Sequence, residues 1–272
     1  MIGGDTILFP ILGYPVSQVK APRLFNGYFQ RTGMDAAVFP LAVSPDLYPG
    51  FLRTLFFADN VRGAMITIPH KKTTAEIVDD SSLVVKLAGA CNAVVRRADG
   101  SLYGELFDGI GFVRSLQSAG FEPKGTRCLV VGCGGAGAAI AAQLSLSGVK
   151  DLGLFDFSPE AVENLAARLA PHVAGKVLKA NAADPMGYDM VVNCTPLGMD
   201  PQDPLPLDVS RLAKETLVAD IVMKVDVTPL LAAARERGCK TLLGKEMLYE
   251  QAPLYMDLFG YPGLTMADMR PE

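Results

Sequence analysis

The chain has 272 residues, long for a single domain, so two lobes are expected. Half of its residues are hydrophobic and a fifth are charged, which supports a packed core and excludes a disordered chain. A net charge of −4 excludes a broad nucleic-acid-binding surface, and no apolar run approaches the roughly 20 residues that span a bilayer.

Short apolar, β-prone runs alternate with helical patterns along most of the sequence, the signature of parallel α/β units. Thr6–Leu12, Ala37–Val43 and Ala64–Ile68 read as strands, and Pro22–Thr32 and Pro45–Phe57 as helices opened by a proline. Ala93–Arg97 and Leu102–Leu106 flank the turn residues 98–101 and predict a hairpin. Asp108–Ala119 reads as a helix, for which Asp108 is a candidate N-cap. Residues 122–125 form a turn-rich link to a second lobe. There Arg127–Val131 reads as a strand, Ala138–Leu146 as a helix and Leu152–Phe155 as a strand. They are followed by a helix over Pro159–Ala170, strands over Lys176–Lys179, Met190–Asn193 and Leu217–Val222, and helices over Thr228–Arg237 and Glu246–Phe259.

The expected division is 1–107 for a substrate-binding and catalytic domain and 108–245 for a Rossmann-type, doubly wound dinucleotide-binding domain. Residues 246–272 form a helical segment packing back on the first. A substrate would meet the cofactor in a cleft between the two lobes. The five cysteines (Cys91, Cys128, Cys133, Cys194, Cys239) show no CxxC spacing, so buried free thiols in a reducing compartment are expected. With only His70 and His172, no metal site is expected. The N-terminus lacks a basic-then-apolar leader, so the expected location is cytoplasmic. The expected partner is a small-molecule substrate, with no nucleic acid and no membrane, for a protein that is a monomer or homodimer.

Gly132-Cys133-Gly134-Gly135-Ala136-Gly137 is the segment richest in chemistry. It follows a strand, opens a helix and is followed about 20 residues on by Asp156 at the end of a second strand, which is the dinucleotide fingerprint. Gly132 permits the tight turn, and Gly134 lets the backbone approach a pyrophosphate. Gly137 lets the helix pack on the strand, while the helix N–H groups receive the phosphate charge. Asp156 can accept hydrogen bonds from ribose hydroxyls and would repel a 2′-phosphate. With Phe157 and Ser158 following, and no Arg or Lys nearby, NAD is favoured, NADP remaining possible.

Several further stretches occur in one order and at plausible spacing: Gly13-Tyr14-Pro15, Thr67-Ile68-Pro69-His70-Lys71, Ala88-Gly89-Ala90-Cys91-Asn92 and Asp108-Gly109. The glycine loop, Asn193-Cys194-Thr195-Pro196-Leu197-Gly198-Met199, Thr228-Pro229-Leu230, and Gly244-Lys245-Glu246-Met247 with Gln251 continue the series. On these residues the chain resembles the shikimate/quinate dehydrogenases over nearly its whole length. The resemblance implies an NAD(P)-dependent oxidoreductase that exchanges a hydride with a cyclic secondary alcohol or ketone. It also implies a catalytic pair, Lys71 and Asp108, with Lys71 the favoured proton acceptor and Asp108 orienting it. Oxidising an alcohol by hydride transfer requires a group that takes the hydroxyl proton and returns it in reverse. Thr67, Asn92, Gln251 and Lys20 are the candidate substrate-binding residues. Gly132, Gly134, Gly135, Ala136, Asp156, Thr195, Ile221 and Gly244 are those for the cofactor.

The departures from the family pattern fall on one side. Where relatives carry Ser-Lys-Ser-Pro, with two serines on the substrate carboxylate, this chain has Val19-Lys20-Ala21-Pro22. Met65 replaces an asparagine, Leu106-Phe107 replaces Asn-Thr, and Met223 stands where relatives place a tyrosine near the carboxylate. Each lost charge-assisted hydrogen bond, about 1.5–3 kcal/mol, weakens binding roughly ten- to a hundredfold. The expectation is a substrate less polar at its carboxylate end. The alternatives are an ordinary shikimate or quinate dehydrogenase with a rearranged pocket, or a non-catalytic cofactor-binding protein. Retention of Lys71 with Asp108 speaks against the last.

Overall fold

Ten elements lie in the first 105 residues: β1 (Ile7–Gly13), α1 (Ala21–Thr32), β2 (Ala36–Ala42), α2 (Tyr48–Leu55), β3 (Ala64–Ile66), α3 (Lys71–Ile77), β4 (Asp80–Ser81), α4 (Leu83–Ala88), β5 (Ala93–Arg96) and β6 (Leu102–Glu105). After them come α5 (Phe107–Ser118), β7 (Arg127–Val131), α6 (Gly135–Leu146), β8 (Asp151–Phe155), α7 (Pro159–Leu169), β9 (Lys176–Lys179), β10 (Met190–Asn193), β11 (Leu217–Asp220), α8 (Pro229–Glu236), β12 (Thr241–Leu243), α9 (Gly244–Leu258) and α10 (Met266–Met269). The structure, a computed structural model, describes residues 2–200 and 202–270. They form two units, one of the residues up to Phe107 and from Gln251 onward, the other of Asp108–Glu250.

The first unit holds a mixed sheet in the order β2-β1-β3-β5-β6-β4. β1 pairs in parallel with β2, Ile7 opposite Ala36 through Gly13 opposite Ala42, and in parallel with β3. The predicted hairpin is present: β5 runs antiparallel to β6, closed by Arg97 N–H to the Ser101 carbonyl (2.8 Å) and by Gly100 in the left-handed region (φ 87°). The third strand ends at Ile66 rather than Ile68, because His70 N–H bonds back to the Thr67 carbonyl (3.0 Å) and turns the chain there.

The second unit holds an all-parallel sheet in the order β12-β11-β10-β7-β8-β9. β10 and β11 are buried along their whole length, as expected of parallel strands covered on both faces. The strand ends are level: Val131 lies opposite Phe155 and Asn193, Asn193 opposite Asp220, and Asp220 opposite Leu243. The loops that leave them therefore gather along one sheet edge. Between β7 and β10 the order reverses, and such a switch point opens the crevice in which open α/β sheets bind ligands.

Further sequence expectations need correction, beginning with α2, which starts at Tyr48 rather than at Pro45. The helix after the glycine loop begins at Gly135, inside the loop, rather than at Ala138. Asp108 is not an N-cap: α5 starts one residue earlier, and the Phe107 N–H is taken by Asn92 Oδ1 (2.9 Å). The short elements α3, α4, β4, β12 and α10 were not foreseen. No helix among the described residues is long and apolar enough to cross a membrane.

The core of the first unit is aromatic. Phe9, fully buried on β1, stacks on Phe259 (centroids 5.1 Å, planes 11° apart) and meets Phe29 and Tyr261. Tyr255 on α9 links this group to Phe25 and Phe107. Because α9 enters the unit through these rings, truncating the central one should loosen it. Phe9→Ala is expected to lower the unfolding free energy by about 3–5 kcal/mol, read from denaturant melts at unchanged m-value.

Candidate active site

In the first unit, Thr67, Lys71 and Asn92 are brought together by backbone hydrogen bonds. Thr67 N–H donates to the Leu12 carbonyl at the end of β1 (2.9 Å), and Lys71, four residues on, opens α3. The Lys71 carbonyl accepts the N–H of Cys91 (2.8 Å), the residue before Asn92. Lys71 and Thr67 are half-buried. Gln251 is buried on α9 and Lys20 is exposed at the N-cap of α1.

Asn92 is 1% exposed and uses its two amide ends differently. Oδ1 accepts the Phe107 N–H, whereas Nδ2 is buried with no partner. A buried amide N–H₂ without an acceptor costs roughly 1–3 kcal/mol, a cost that an oxygen of a bound molecule could relieve. The one other such atom among the described residues is Glu105 Oε1, in a carboxyl that burial pushes above its usual range toward the neutral form.

The second unit has a glycine loop whose geometry could hold a dinucleotide. Gly132 has φ 101°, left-handed backbone that favours glycine, and a Cβ there would come within 2.9 Å of the Cys194 carbonyl carbon and 3.0 Å of Thr195 N. A Cβ on Gly137 would collide with the Gly132 carbonyl oxygen. By contrast, nothing lies within 4 Å of a Cβ built on Gly134, so the loop leaves an open cradle at that position. The first bond of α6 runs from Ala138 N–H to the Gly134 carbonyl (2.8 Å), and the N–H groups of Gly135, Ala136 and Gly137 precede it at the positive helix end. This fits a diphosphate. Asp156, after β8, is tied to the same loop: Oδ2 accepts Cys133 N–H (2.6 Å) and Oδ1 accepts Ser158 N–H (2.9 Å). Each oxygen keeps a lone pair for a ribose hydroxyl.

The remaining loops are held by a buried carboxylate. Asp220, 1% exposed at the end of β11, accepts Asn193 Nδ2 (3.1 Å) and Val222 N–H (3.0 Å) on Oδ1 and the Thr228 hydroxyl (2.6 Å) on Oδ2. Burial raises its pKa above the usual 3.8, while these three bonds oppose the rise. Asn193 in turn accepts both the N–H (3.0 Å) and hydroxyl (2.7 Å) of Thr195. Ile221 N–H donates to the Asn193 carbonyl (3.1 Å), and a Cβ on Gly244 would lie 2.8 Å from the Ile221 carbonyl group. Thr195, Ile221 and Gly244 thus share one strand edge. Sequence reading had Asn193 and Thr228 only as motif letters. Their shared partner, 27 residues from one and 8 from the other, gave no local signal. Asp108 is buried in the first turn of α5, directly before Gly109, where an added Cβ would strike the Ala139 carbonyl of α6. All five cysteines are free, four of them buried and Cys194 partly so, and no cluster among the described residues could hold a metal ion.

One titration follows from this geometry. His70, 1% exposed, has its pKa held below the usual 6.5 by burial, against the opposing bond to the Val43 carbonyl. A folded-state pKa below the unfolded one makes the unfolded chain take up protons first as pH falls through 6.5, so this contribution to stability declines on acidification. The stability difference between the wild type and His70→Gln should therefore shrink from pH 7.5 to pH 5, measured by urea melts across that range.

Residues 11–94 match the family described as shikimate dehydrogenase substrate binding domain. The shikimate dehydrogenase (NADP(+)) of Acidiphilium cryptum is 37% identical over 262 residues, covering 96% of this chain and 93% of that protein. Shikimate 5-dehydrogenase of Listeria monocytogenes, solved with shikimate and NAD, superposes with a TM-score of 0.90 at 28% identity, over 98% of this chain and 96% of that one. The 5-ketofructose reductase of Gluconobacter sp. strain CHM43, in ligand-free form, gives 0.88 at 28% identity, over 98% and 97%. Matched along its length by relatives of this kind, the chain belongs to the shikimate dehydrogenase family of oxidoreductases acting on CH–OH groups.

Proposed function

We propose that the protein is an NAD-preferring dehydrogenase that interconverts a cyclic secondary alcohol and its ketone, on a substrate less polar than shikimate at the carboxylate end. The observation that carries the reading is the unpartnered Nδ2 of Asn92, a donor for a substrate hydroxyl or carbonyl oxygen, in a unit whose carboxylate-side positions are Val19, Ala21, Met65 and Phe107. Met65 is buried within β3, and Phe107 is spent on an edge-to-face contact with Tyr255 (centroids 4.9 Å). Neither can donate a side-chain hydrogen bond. A structural neighbour named 5-ketofructose reductase supports the idea, since a ketofructose carries carbonyl and hydroxyl groups and no carboxylate.

The nicotinamide ring, when bound, supplies the hydride acceptor or donor. Lys71 at Nζ takes the substrate hydroxyl proton during oxidation and returns it during reduction, and the Asp108 carboxylate orients that ammonium. Thr67, Asn92, Gln251 and Lys20 bind the substrate's polar groups. Gly132, Gly134, Gly135 and Ala136 receive the diphosphate through backbone N–H groups. Thr195, Ile221 and Gly244 flank the rest of the cofactor, and Asp156 holds the adenosine ribose. A free 2′-hydroxyl can donate to Asp156, whereas a 2′-phosphate beside it brings like charges together, which supports NAD although the Acidiphilium relative is named for NADP.

The cofactor assignment predicts a kcat/KM for NAD at least about tenfold above that for NADP, and a reversal of much of that margin in Asp156→Ser. Equal or better use of NADP by the wild type would refute it. The pocket assignment predicts weak turnover of shikimate relative to an uncharged cyclic diol, followed as reduced nicotinamide by absorbance. The double change Val19→Ser with Ala21→Ser should then raise kcat/KM for shikimate roughly ten- to a hundredfold. Efficient shikimate oxidation by the unchanged protein at low concentration would sink the altered-pocket reading.

A further inference from the structure

Three side chains with no part in the chemistry above surround the backbone of Lys71. Tyr48, fully buried at the start of α2, lies face to face with the His70 imidazole, centroids 3.9 Å apart and planes 3° apart. His70 Nε2 donates to the Val43 carbonyl (2.8 Å), just past β2. The Thr74 hydroxyl donates to the His70 carbonyl (2.7 Å), because a carbonyl can only accept. Its oxygen is then free to accept, so the Tyr48 hydroxyl 2.6 Å away is the donor. The chain of donors runs one way, from Tyr48 through Thr74 to the peptide oxygen immediately before Lys71.

That peptide needs such support. α3 is only seven residues long, and its N-cap, His70, provides no side-chain cap. A helix this short is marginal by itself. Its first turn is fixed instead by the His70 carbonyl, which accepts both the Thr74 N–H (2.8 Å) and the Thr74 hydroxyl. On either side, His70 N–H closes the turn onto Thr67 and the Lys71 carbonyl receives Cys91 N–H. Phe, Leu and Val in the same volumes would pack without burying two hydroxyls and an imidazole that must each find a partner. What the polar set adds is direction.

We propose that Tyr48, His70 and Thr74 are positioning residues for the reaction: together they fix the peptide of Lys71 and so the arc its amino group sweeps toward the substrate hydroxyl. The inference rests on Lys71 being the proton carrier proposed above. An error of about 1 Å in such a group can cost on the order of a hundredfold in rate.

The test compares Tyr48→Phe, Thr74→Val and Thr74→Ser with Lys71→Met. Rates are measured with NAD and either shikimate or cis-1,2-cyclohexanediol, whichever the wild type turns over faster. In parallel, the 13C resonance of reductively methylated Lys71, assigned by its absence from Lys71→Met, is recorded without substrate. The expected result is a fall in kcat of about tenfold or more in Tyr48→Phe and Thr74→Val, at nearly constant KM and corrected for folded fraction. The Lys71 resonance should move in both, and Thr74→Ser, which keeps the hydroxyl, should restore rate and resonance. Wild-type rates in the two disruptive variants, or an unmoved resonance beside an inactive Lys71→Met, would overturn this inference alone. Full activity in Lys71→Met would remove Lys71 from the reaction and overturn both readings.

Discussion

The second unit depends on an atom that is missing. Helix α6 can begin where it does only because Gly137 has no Cβ to strike the Gly132 carbonyl. With that approach allowed, the first turn of α6 lies against the end of β7, and its leading N–H groups open toward the cradle at Gly134. A side chain at Gly137 would push the helix off the sheet and turn those dipoles away. The reversal of strand order between β7 and β10 then decides what else reaches the cradle, because Cys194 and Thr195 leave β10 directly beside it.

Both units support their functional backbone in the same manner. In each, a short stretch of chain that holds candidate site residues is fixed by buried polar side chains from neighbouring elements. Asp220 does this for the segments around Thr195 and Ile221, and the Tyr48, His70 and Thr74 set does it for Lys71. Partners of this kind are conditional on one another. A carboxylate or hydroxyl taken out of water is tolerable only while every donor and acceptor facing it stays in place. Such clusters therefore resist gradual displacement and hold their loops in one arrangement.

The sequence was legible where one local rule decided the outcome. The parallel strands of the second unit are continuous apolar runs, and the glycine loop sits between a strand and an alanine-rich helix. It was illegible where short elements hide their signals. α4 contains Val84 and Val85, β-branched residues that favour strands, yet Ser82 accepts Val85 N–H (3.4 Å) and Gly89 ends the helix at φ 65°. α3 opens Lys-Lys-Thr-Thr, poor helix formers apart from the lysines, and exists because tertiary bonds hold it. Tyr48 and Thr74 stand 26 residues apart, so their hydrogen bond has no trace in periodicity or motif. Asn92 was visible as a motif letter, but the division of its amide between an internal acceptor role and an unpartnered donor is a property of the folded chain.

Phe107 connects specificity to foldability. It stands directly before Asp108, and it is 5% exposed with its ring against Tyr255, which reaches on to Phe25 and Phe259. A change to threonine there would not simply add a hydroxyl; it would hollow out the aromatic group that anchors the chain's last long helix. Any variant that places a polar side chain at this position therefore has to refill the core as well, which couples the two changes.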